Sequence, residues 1–142
     1  MDQSSIFAPM GTLVALTFLV LLLIPFRRFQ AGFRGQVKRD DFKYGESSNV
    51  PGAVSIPNRN YMNLLELPVL FYVLCLTMFV SENVTQTALI LAWSYVGLRT
   101  AHSLVHLTFN HVTVRLFFFA ASNIVLGIMW LRFFFGSTIG LT

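Results

Sequence analysis

Long apolar stretches separated by polar connections dominate the sequence. Four of these stretches are long enough to cross a bilayer, which requires about 20 residues of helix. They cover approximately residues 6–26, 61–80, 87–107 and 112–135. The pattern predicts an all-α membrane protein in which four transmembrane helices form a bundle and residues 1–142 form a single domain.

The composition of the chain also indicates a membrane protein. Hydrophobic residues make up 55% of the 142 residues and charged residues only 11%, whereas a soluble domain contains about 25% charged residues. The first apolar stretch carries no charge between Asp2 and Arg27, and no basic region precedes it. We therefore interpret it as a retained first span rather than as the core of a signal peptide.

Basic residues are concentrated in one connection. Loop 27–60 holds seven of the ten Lys and Arg residues, whereas the connection at 81–86 holds none. The positive-inside rule predicts that the long loop faces the cytoplasm, and four spans then place both termini outside it. Because a solvated loop accounts for the net charge of +4, we expect no nucleic acid partner.

Polar side chains recur inside the predicted helices. An Arg or Asp near the centre of a membrane helix costs about 2.5–3.5 kcal/mol, so such groups need internal partners. The second and third helices each carry polar residues whose spacing places them on one helical face. The first turn of the fourth helix adds Arg115. The polar residues in the cytoplasmic half of the bundle are then Arg59, Asn63, Glu66, Arg99, His102, His106 and Arg115. Their agreement in depth and face predicts a polar site.

Several of these residues also have purely structural explanations. Glu66 and Arg99, at matching depth on antiparallel helices, could form a buried ion pair that only supports the bundle. Asn63 could hydrogen bond between helices, and Arg115 could extend to phospholipid headgroups.

Two local features of the second helix are predictable from its residue types. Pro68 cannot donate a hydrogen bond to the Leu64 carbonyl, so the helix should bend beside the polar residues. Asn58 or Asn60 has the side chain of a helix N-cap, which predicts a helix start near residue 61.

The segment 58–68 reads Asn-Arg-Asn-Tyr-Met-Asn-Leu-Leu-Glu-Leu-Pro. It resembles the signature Arg-x-x-x-Asn-x-x-Glu of the MAPEG superfamily, the membrane-associated proteins in eicosanoid and glutathione metabolism. The spacing of Arg99, His102, His106 and Arg115 is also similar to that family's at the end of helix 3 and the start of helix 4. The resemblance covers essentially the whole chain and points to a bacterial-type, microsomal glutathione transferase-like member.

The resemblance implies a homotrimer that uses glutathione as cosubstrate. Glutathione would bind on the cytoplasmic side, between helices 1 and 2 of one protomer and helices 3 and 4 of its neighbour. Arg115 matches the arginine that activates the thiol in family enzymes. The positions matching glutathione-binding residues are Arg59, Asn63, Glu66, Arg99, His102 and His106. The chain departs from the family's enzymes at three positions, because His106 and Leu67 replace tyrosines and Leu116 replaces a serine of one branch.

The chemistry of the polar residues agrees with that function. Glutathione carries two carboxylates and one ammonium group, so its site requires clustered Arg and one carboxylate. No metal is expected, since His102 and His106 lack a carboxylate or cysteine on the same face. The predicted activity is transferase- or peroxidase-like: glutathione thiolate attacks a lipophilic electrophile.

Two alternative functions remain open at this point. One is a non-catalytic membrane protein with the same fold, which the replaced tyrosines favour. The other is a small multidrug-type transporter, which also combines four helices with one intramembrane glutamate. The three arginines around Glu66 argue against the transporter because such proteins bind cations. For each function we expect a multi-pass protein of the bacterial inner membrane, in contact with lipid.

Overall fold

The structure, a computed structural model, describes the backbone of residues 2–139 and the side chains of residues 2–136. A short 3-10 helix precedes the first long helix, and another lies within the connection that follows it. The long helices are α1, Phe7–Phe33; α2, Gly52–Leu65; α3, Pro68–Val80; α4, Gln86–Leu107; and α5, Val112–Ile139.

The five helices form four rods, because α2 and α3 are two halves of one interrupted helix. The connections α3–α4 and α4–α5 are only a few residues long, which makes sequential rods antiparallel neighbours. Within the bundle α5 packs mainly against α4, and α1 packs mainly against α2. The core contains stacked aromatic rings of Phe71 and Tyr95, whose centroids are 4.6 Å apart, and both side chains are fully buried.

The all-α four-helix bundle predicted from the sequence is confirmed. Among the described residues, three helical segments are long and apolar enough to cross a membrane, namely Gln3–Phe33, Gly52–Val80 and Val112–Gly136. The fourth rod, α4, is not in this set. Its buried polar residues include Arg99, His102 and His106, which lower its hydropathy but face the interior of the bundle.

Two helix boundaries lie well outside the predicted apolar stretches. Helix α1 continues past residue 26 to Phe33, and α2 begins at Gly52 rather than near residue 61. The prediction that Asn58 or Asn60 caps the second helix is wrong, since both lie inside α2 and its N-cap is Pro51. Hydropathy identifies only the part of a helix that suits lipid, whereas these helices extend beyond it as mixed polar and apolar segments.

The predicted bend before Pro68 is confirmed. Helix α2 ends at Leu65, and Glu66 has a non-helical ψ of −98°. Pro68 is then the first residue of α3, a position at which its missing N–H is tolerated. The backbone bridges the break with a 3.3 Å hydrogen bond from the Val69 N–H to the Glu66 carbonyl. Glu66 therefore lies at the interruption itself.

Candidate functional site

Arg99 is the largest fully buried side chain of the described residues. Its Nη2 donates a 2.7 Å hydrogen bond to Oδ1 of Asn123 on α5, and its Nε donates to the Tyr95 hydroxyl at 3.2 Å. The guanidinium also lies over the ring of Phe119, 5.0 Å from its centroid. Its Nη1 has no hydrogen-bond partner among the described residues. The charge is thus surrounded by an amide, a phenol and aromatic faces.

The ion pair considered between Glu66 and Arg99 does not form within one chain. The guanidinium of Arg99 bonds to Tyr95 and Asn123 instead. Glu66 is exposed, while Arg99 is 0% exposed. The two residues do match in predicted depth, but the rotation of α2 about its axis directs Glu66 away from α4.

The rotation of α2 is visible in the burial of its residues. Asn60 and Leu64, one turn apart, are 0% and 2% exposed and face the bundle. Arg59 and Glu66 are exposed and Asn63 is half-buried. At 100° per residue, these three positions form an adjacent, outward-facing surface. The three predicted α2 residues therefore share a face, as expected, but this face is directed out of the protomer.

Asn60 makes the polar contact between α2 and α4. Its Oδ1 accepts a 3.2 Å hydrogen bond from the hydroxyl of Ser103, and both side chains are 0% exposed. An interhelical hydrogen bond was one interpretation of Asn63, for which the structure shows no such bond. The Nδ2 of Asn60 is buried without a partner among the described residues, so the contact leaves one donor unsatisfied.

His102 joins α4 to the beginning of α5. Its Nδ1 lies 3.0 Å from the Arg115 carbonyl oxygen, which can only accept, so Nδ1 carries the proton and Nε2 is an acceptor. The ring of His106 lies edge-on, with its centroid 5.7 Å from that of His102. Both rings are buried, at 3% and 2% exposure. They form a second buried polar layer, one turn from Arg99.

Arg115 lies in the first turn of α5 and is half-buried. Its Nη1 donates a 2.8 Å hydrogen bond to Oδ1 of Asn110, a residue of the α4–α5 turn with a left-handed φ of 46°. This bond fixes the guanidinium beside the turn.

The site therefore has a buried part and an exposed part. The buried part consists of Arg99, His102 and His106. The exposed part is the outward-facing surface of Arg59, Asn63 and Glu66, and Arg115 lies between the two parts. Among the described residues, no group of three or more His, Cys, Asp or Glu is placed to hold a metal ion. Arg99 is fully buried and Arg115 half-buried, so two guanidinium groups are available to a ligand with more than one anionic group.

Sequence reasoning missed four polar residues that hold the site together: Asn60, Ser103, Asn110 and Asn123. A signal was available for Asn123, since an amide within the apolar helix α5 needs a partner. Ser103 is one turn from Arg99 on the same helix, which was a weaker signal. Asn110 gave none, because polar residues are expected in a turn.

Comparison with known proteins gives one family. A model of the MAPEG family matches residues 6–135, a range that contains every predicted site residue. No individual curated protein and no solved structure matches the chain significantly.

Proposed function

This chain belongs to the MAPEG family, and we propose that it is a glutathione-dependent membrane enzyme of transferase or peroxidase type. The observation that carries the proposal is the fully buried guanidinium of Arg99, which no carboxylate of the described residues neutralises. A guanidinium stays charged in proteins, and an isolated buried charge is costly. A carboxylate of the cosubstrate would supply the missing negative charge.

The substituents of glutathione match the charges of the chain. Its two carboxylates correspond to two of the guanidinium groups of Arg59, Arg99 and Arg115, and its ammonium group corresponds to the carboxylate of Glu66. Each of these pairings is a charge-assisted hydrogen bond, about twice as strong as a neutral one. Asn63, half-buried beside Glu66, adds an uncharged donor and acceptor.

Arg115 is the residue to which we assign activation of the thiol. A nearby cation lowers the pKa of a thiol and raises the fraction of thiolate. The 2.8 Å hydrogen bond from Nη1 to Asn110 holds the guanidinium in one place near the membrane surface. The thiol proton would leave to water, and the thiolate sulfur would form a bond to the electrophilic atom of a lipophilic substrate. In conjugation, the leaving group departs with the bonding electrons.

We propose that the site is completed in a homotrimer. The α2 residues Arg59, Asn63 and Glu66 do not face Arg99 of their own chain, and Glu66 is exposed at the helix break. Exposed charge at membrane depth is expensive. A closed ring of protomers would cover the α2 face and bring it against the polar residues of a neighbour.

Isothermal titration of the detergent-purified protein with glutathione tests the proposed function. We expect saturable binding that is weakened at least about tenfold when Arg99 is replaced, because a charge-assisted contact is lost. S-methylglutathione is the control ligand: it keeps the carboxylates and should bind without turnover. Absence of any glutathione binding by the folded protein would contradict the proposal.

A non-catalytic member of the family is the second candidate. His106 replaces the tyrosine of the family's enzymes and is 2% exposed, so this position offers no accessible hydroxyl. That candidate predicts glutathione binding without turnover of any aromatic or peroxide substrate. Turnover that requires Arg115 would exclude it.

We also propose that the connection between α1 and α2 faces the cytoplasm and that both termini lie outside it. The basic residues of the long loop support this orientation through the positive-inside rule. A reporter that works only in the cytoplasm should be inactive when fused after Thr142. Activity of that fusion would reverse the topology.

A further inference from the structure

The end of α1 and the connection after it enclose a cavity that the proposed glutathione site does not use. Its volume is about 590 Å³, within the range of about 300–1,000 Å³ that small-ligand sites occupy. Three cationic side chains line it, those of Arg28, Lys38 and Arg39, and none of the described lining residues is acidic. The remaining wall is largely apolar and includes Phe29 and Phe33.

Arg28 is held at the wall of this cavity. Its Nη2 donates to Glu46 at 3.0 Å, and its guanidinium lies over the ring of Phe42, 4.6 Å from the centroid. The Nε of Arg28 is buried and has no hydrogen-bond partner among the described residues. The Arg28 side chain is still 33% exposed, so its guanidinium can contact an anionic oxygen while it stays bonded to Glu46.

Two of the three acidic residues of the connection bind other groups, and the third, Asp40, does not line the cavity. Asp41 accepts a 2.7 Å hydrogen bond from the Lys38 backbone N–H and a 2.8 Å hydrogen bond from the Ser47 hydroxyl. Glu46 is committed to Arg28. The ammonium group of Lys38 and the guanidinium of Arg39 therefore remain the principal charges at the cavity.

A second cavity lies beside the first, and the two share a pair of lining residues. It has a volume of about 370 Å³ and is lined by Phe26, Gln30 and Arg34 together with Phe29 and Phe33, which also line the first cavity. Phe26 and Phe33 are two turns apart, about 10 Å along the helix axis, and both are exposed. The last turns of α1 thus carry an aromatic surface that leads from the cationic cavity into the membrane-spanning segment.

We propose that these two neighbouring cavities bind one anionic phospholipid. The phosphate would contact Arg28, Lys38 and Arg39, and one acyl chain would follow Phe33 and Phe29 toward Phe26. Lys38 and Arg39, whose charges no lining carboxylate offsets, favour a negatively charged headgroup. Arg28 adds a donor group, although Glu46 shares its charge. The aromatic surface, continuous with a helix apolar enough to cross a membrane, favours a lipid over a soluble anion such as free phosphate.

Native mass spectrometry of the detergent-purified protein tests this proposal. The protein would be titrated with phosphatidylglycerol and, separately, with phosphatidylcholine of the same acyl chains. We expect tighter binding of phosphatidylglycerol. Arg39→Gln should weaken that binding about fivefold, the contribution of one basic residue at an anionic lipid surface. Lys43→Gln removes the same charge from the same connection but outside the cavity, and should leave the affinity unchanged.

Two further measurements identify the part of the lipid that is recognised. Phe33→Ala should weaken phosphatidylglycerol binding, because it removes a side chain shared by both cavities. Inorganic phosphate at millimolar concentration should not displace the lipid. Equal binding of the two lipids, equal losses in Arg39→Gln and Lys43→Gln, or complete displacement by phosphate would overturn the proposal. Because glutathione is absent from these experiments, their failure would leave the proposed enzymatic function untouched.

Discussion

Arg99 on α4 is hydrogen bonded to Asn123 on α5 at 2.7 Å, so an amide oxygen rather than a carboxylate holds the buried guanidinium. The amide orients the charge without neutralising it. Together with the unpartnered Nη1, this leaves a buried cation that is fixed in position and still available to an anion. Such a group is suited to ligand binding more than to stabilising the bundle.

Replacing Asn123 with Leu should destabilise the bundle. The substitution keeps the volume but removes a hydrogen bond to a charged group, which contributes about 1.5–3 kcal/mol. Thermal unfolding in detergent measures the effect as a lower Tm. Ser94→Ala is the matched control, because the Ser94 hydroxyl bonds only within α4 and is exposed. Equal Tm values for the two variants would show that the Arg99–Asn123 bond contributes nothing.

Replacing Arg99 with Met should show whether Arg99 contributes to glutathione binding, to the stability of the fold, or to both. Met fills most of the volume and removes the buried charge, and replacing buried charged groups by apolar ones is often neutral or stabilising. We expect glutathione affinity to fall at least about tenfold, while the free energy of unfolding changes by less than about 1.5 kcal/mol. Glutathione titration and chemical unfolding give the two quantities. Unchanged glutathione affinity in a folded Arg99→Met protein would remove Arg99 from the site.

Arg115→Ala should lower turnover far more than it weakens glutathione binding. Loss of one fixed electrostatic donor in an active site costs about 10²–10³ in kcat, and the pKa of the bound glutathione thiol should rise. Ultraviolet absorbance of the thiolate as a function of pH measures that pKa.

Asn110→Gly provides an intermediate test of the same assignment, because glycine tolerates the left-handed φ of 46° at this position. It leaves the Arg115 charge in place but removes its 2.8 Å hydrogen bond. We expect turnover to fall by less than in Arg115→Ala, and to depend on pH over a wider range than in the wild type. If the thiol pKa of bound glutathione is identical in the wild type and in Arg115→Ala, Arg115 has another role.

The connection between α1 and α2 should lose its order in acid. Hydrogen bonds from the Lys38 backbone N–H and the Ser47 hydroxyl lower the pKa of Asp41 below its ordinary value of 3.8. A carboxylate with a depressed folded pKa contributes stability that is present above the unfolded pKa and is lost as pH falls through the folded pKa.

Hydrogen exchange at the Ser47 amide, which bonds to the Asp41 carbonyl at 2.8 Å, measures this loss. Protection should fall below about pH 4, the ordinary range of an Asp side chain. Asp41→Asn should remove the pH dependence, whereas Asp40→Asn, the neighbouring substitution with the same charge change, should retain it. A protection factor, the exchange rate relative to the intrinsic rate at each pH, that stays constant in the wild type would contradict the prediction.

The assembly should be a trimer with the α2 face covered. Native mass spectrometry in several detergents should show trimers. Detection of monomers or dimers alone would argue against the proposal.

A cysteine introduced at Asn63 should be protected from a membrane-permeant maleimide in the trimer. A cysteine at Tyr44, which is 92% exposed in the connection, is the reactive control.

The helical bundle and the bend before Pro68 were predictable because both depend on local chemistry. Apolar length determines whether a helix can span the bilayer, and a missing N–H interrupts a helix wherever it occurs. The partner of Arg99 was not predictable by the same means. Depth places Glu66 opposite Arg99, but rotation of α2 decides which side chain faces α4.

A single residue separates the face of Asn60 from the face of Arg59, since each position turns the helix by 100°. The sequence predicted the depth and the spacing of Arg59, Asn63 and Glu66, but not whether they face into or out of the protomer. That direction is determined by packing of Leu64, which is 2% exposed, and by the bond between Asn60 and Ser103. Long-range packing of this kind leaves no mark on local spacing.

The polar content of α4 has a consequence for how the protein enters the membrane. A helix with a central arginine is penalised when it partitions into lipid alone, and α4 is not among the helices apolar enough to do so. Helix α5 is in that set, and it supplies Asn123 for Arg99 and a backbone carbonyl for His102. We therefore expect α4 to insert together with α5, so that the two helices leave the translocon as one hairpin.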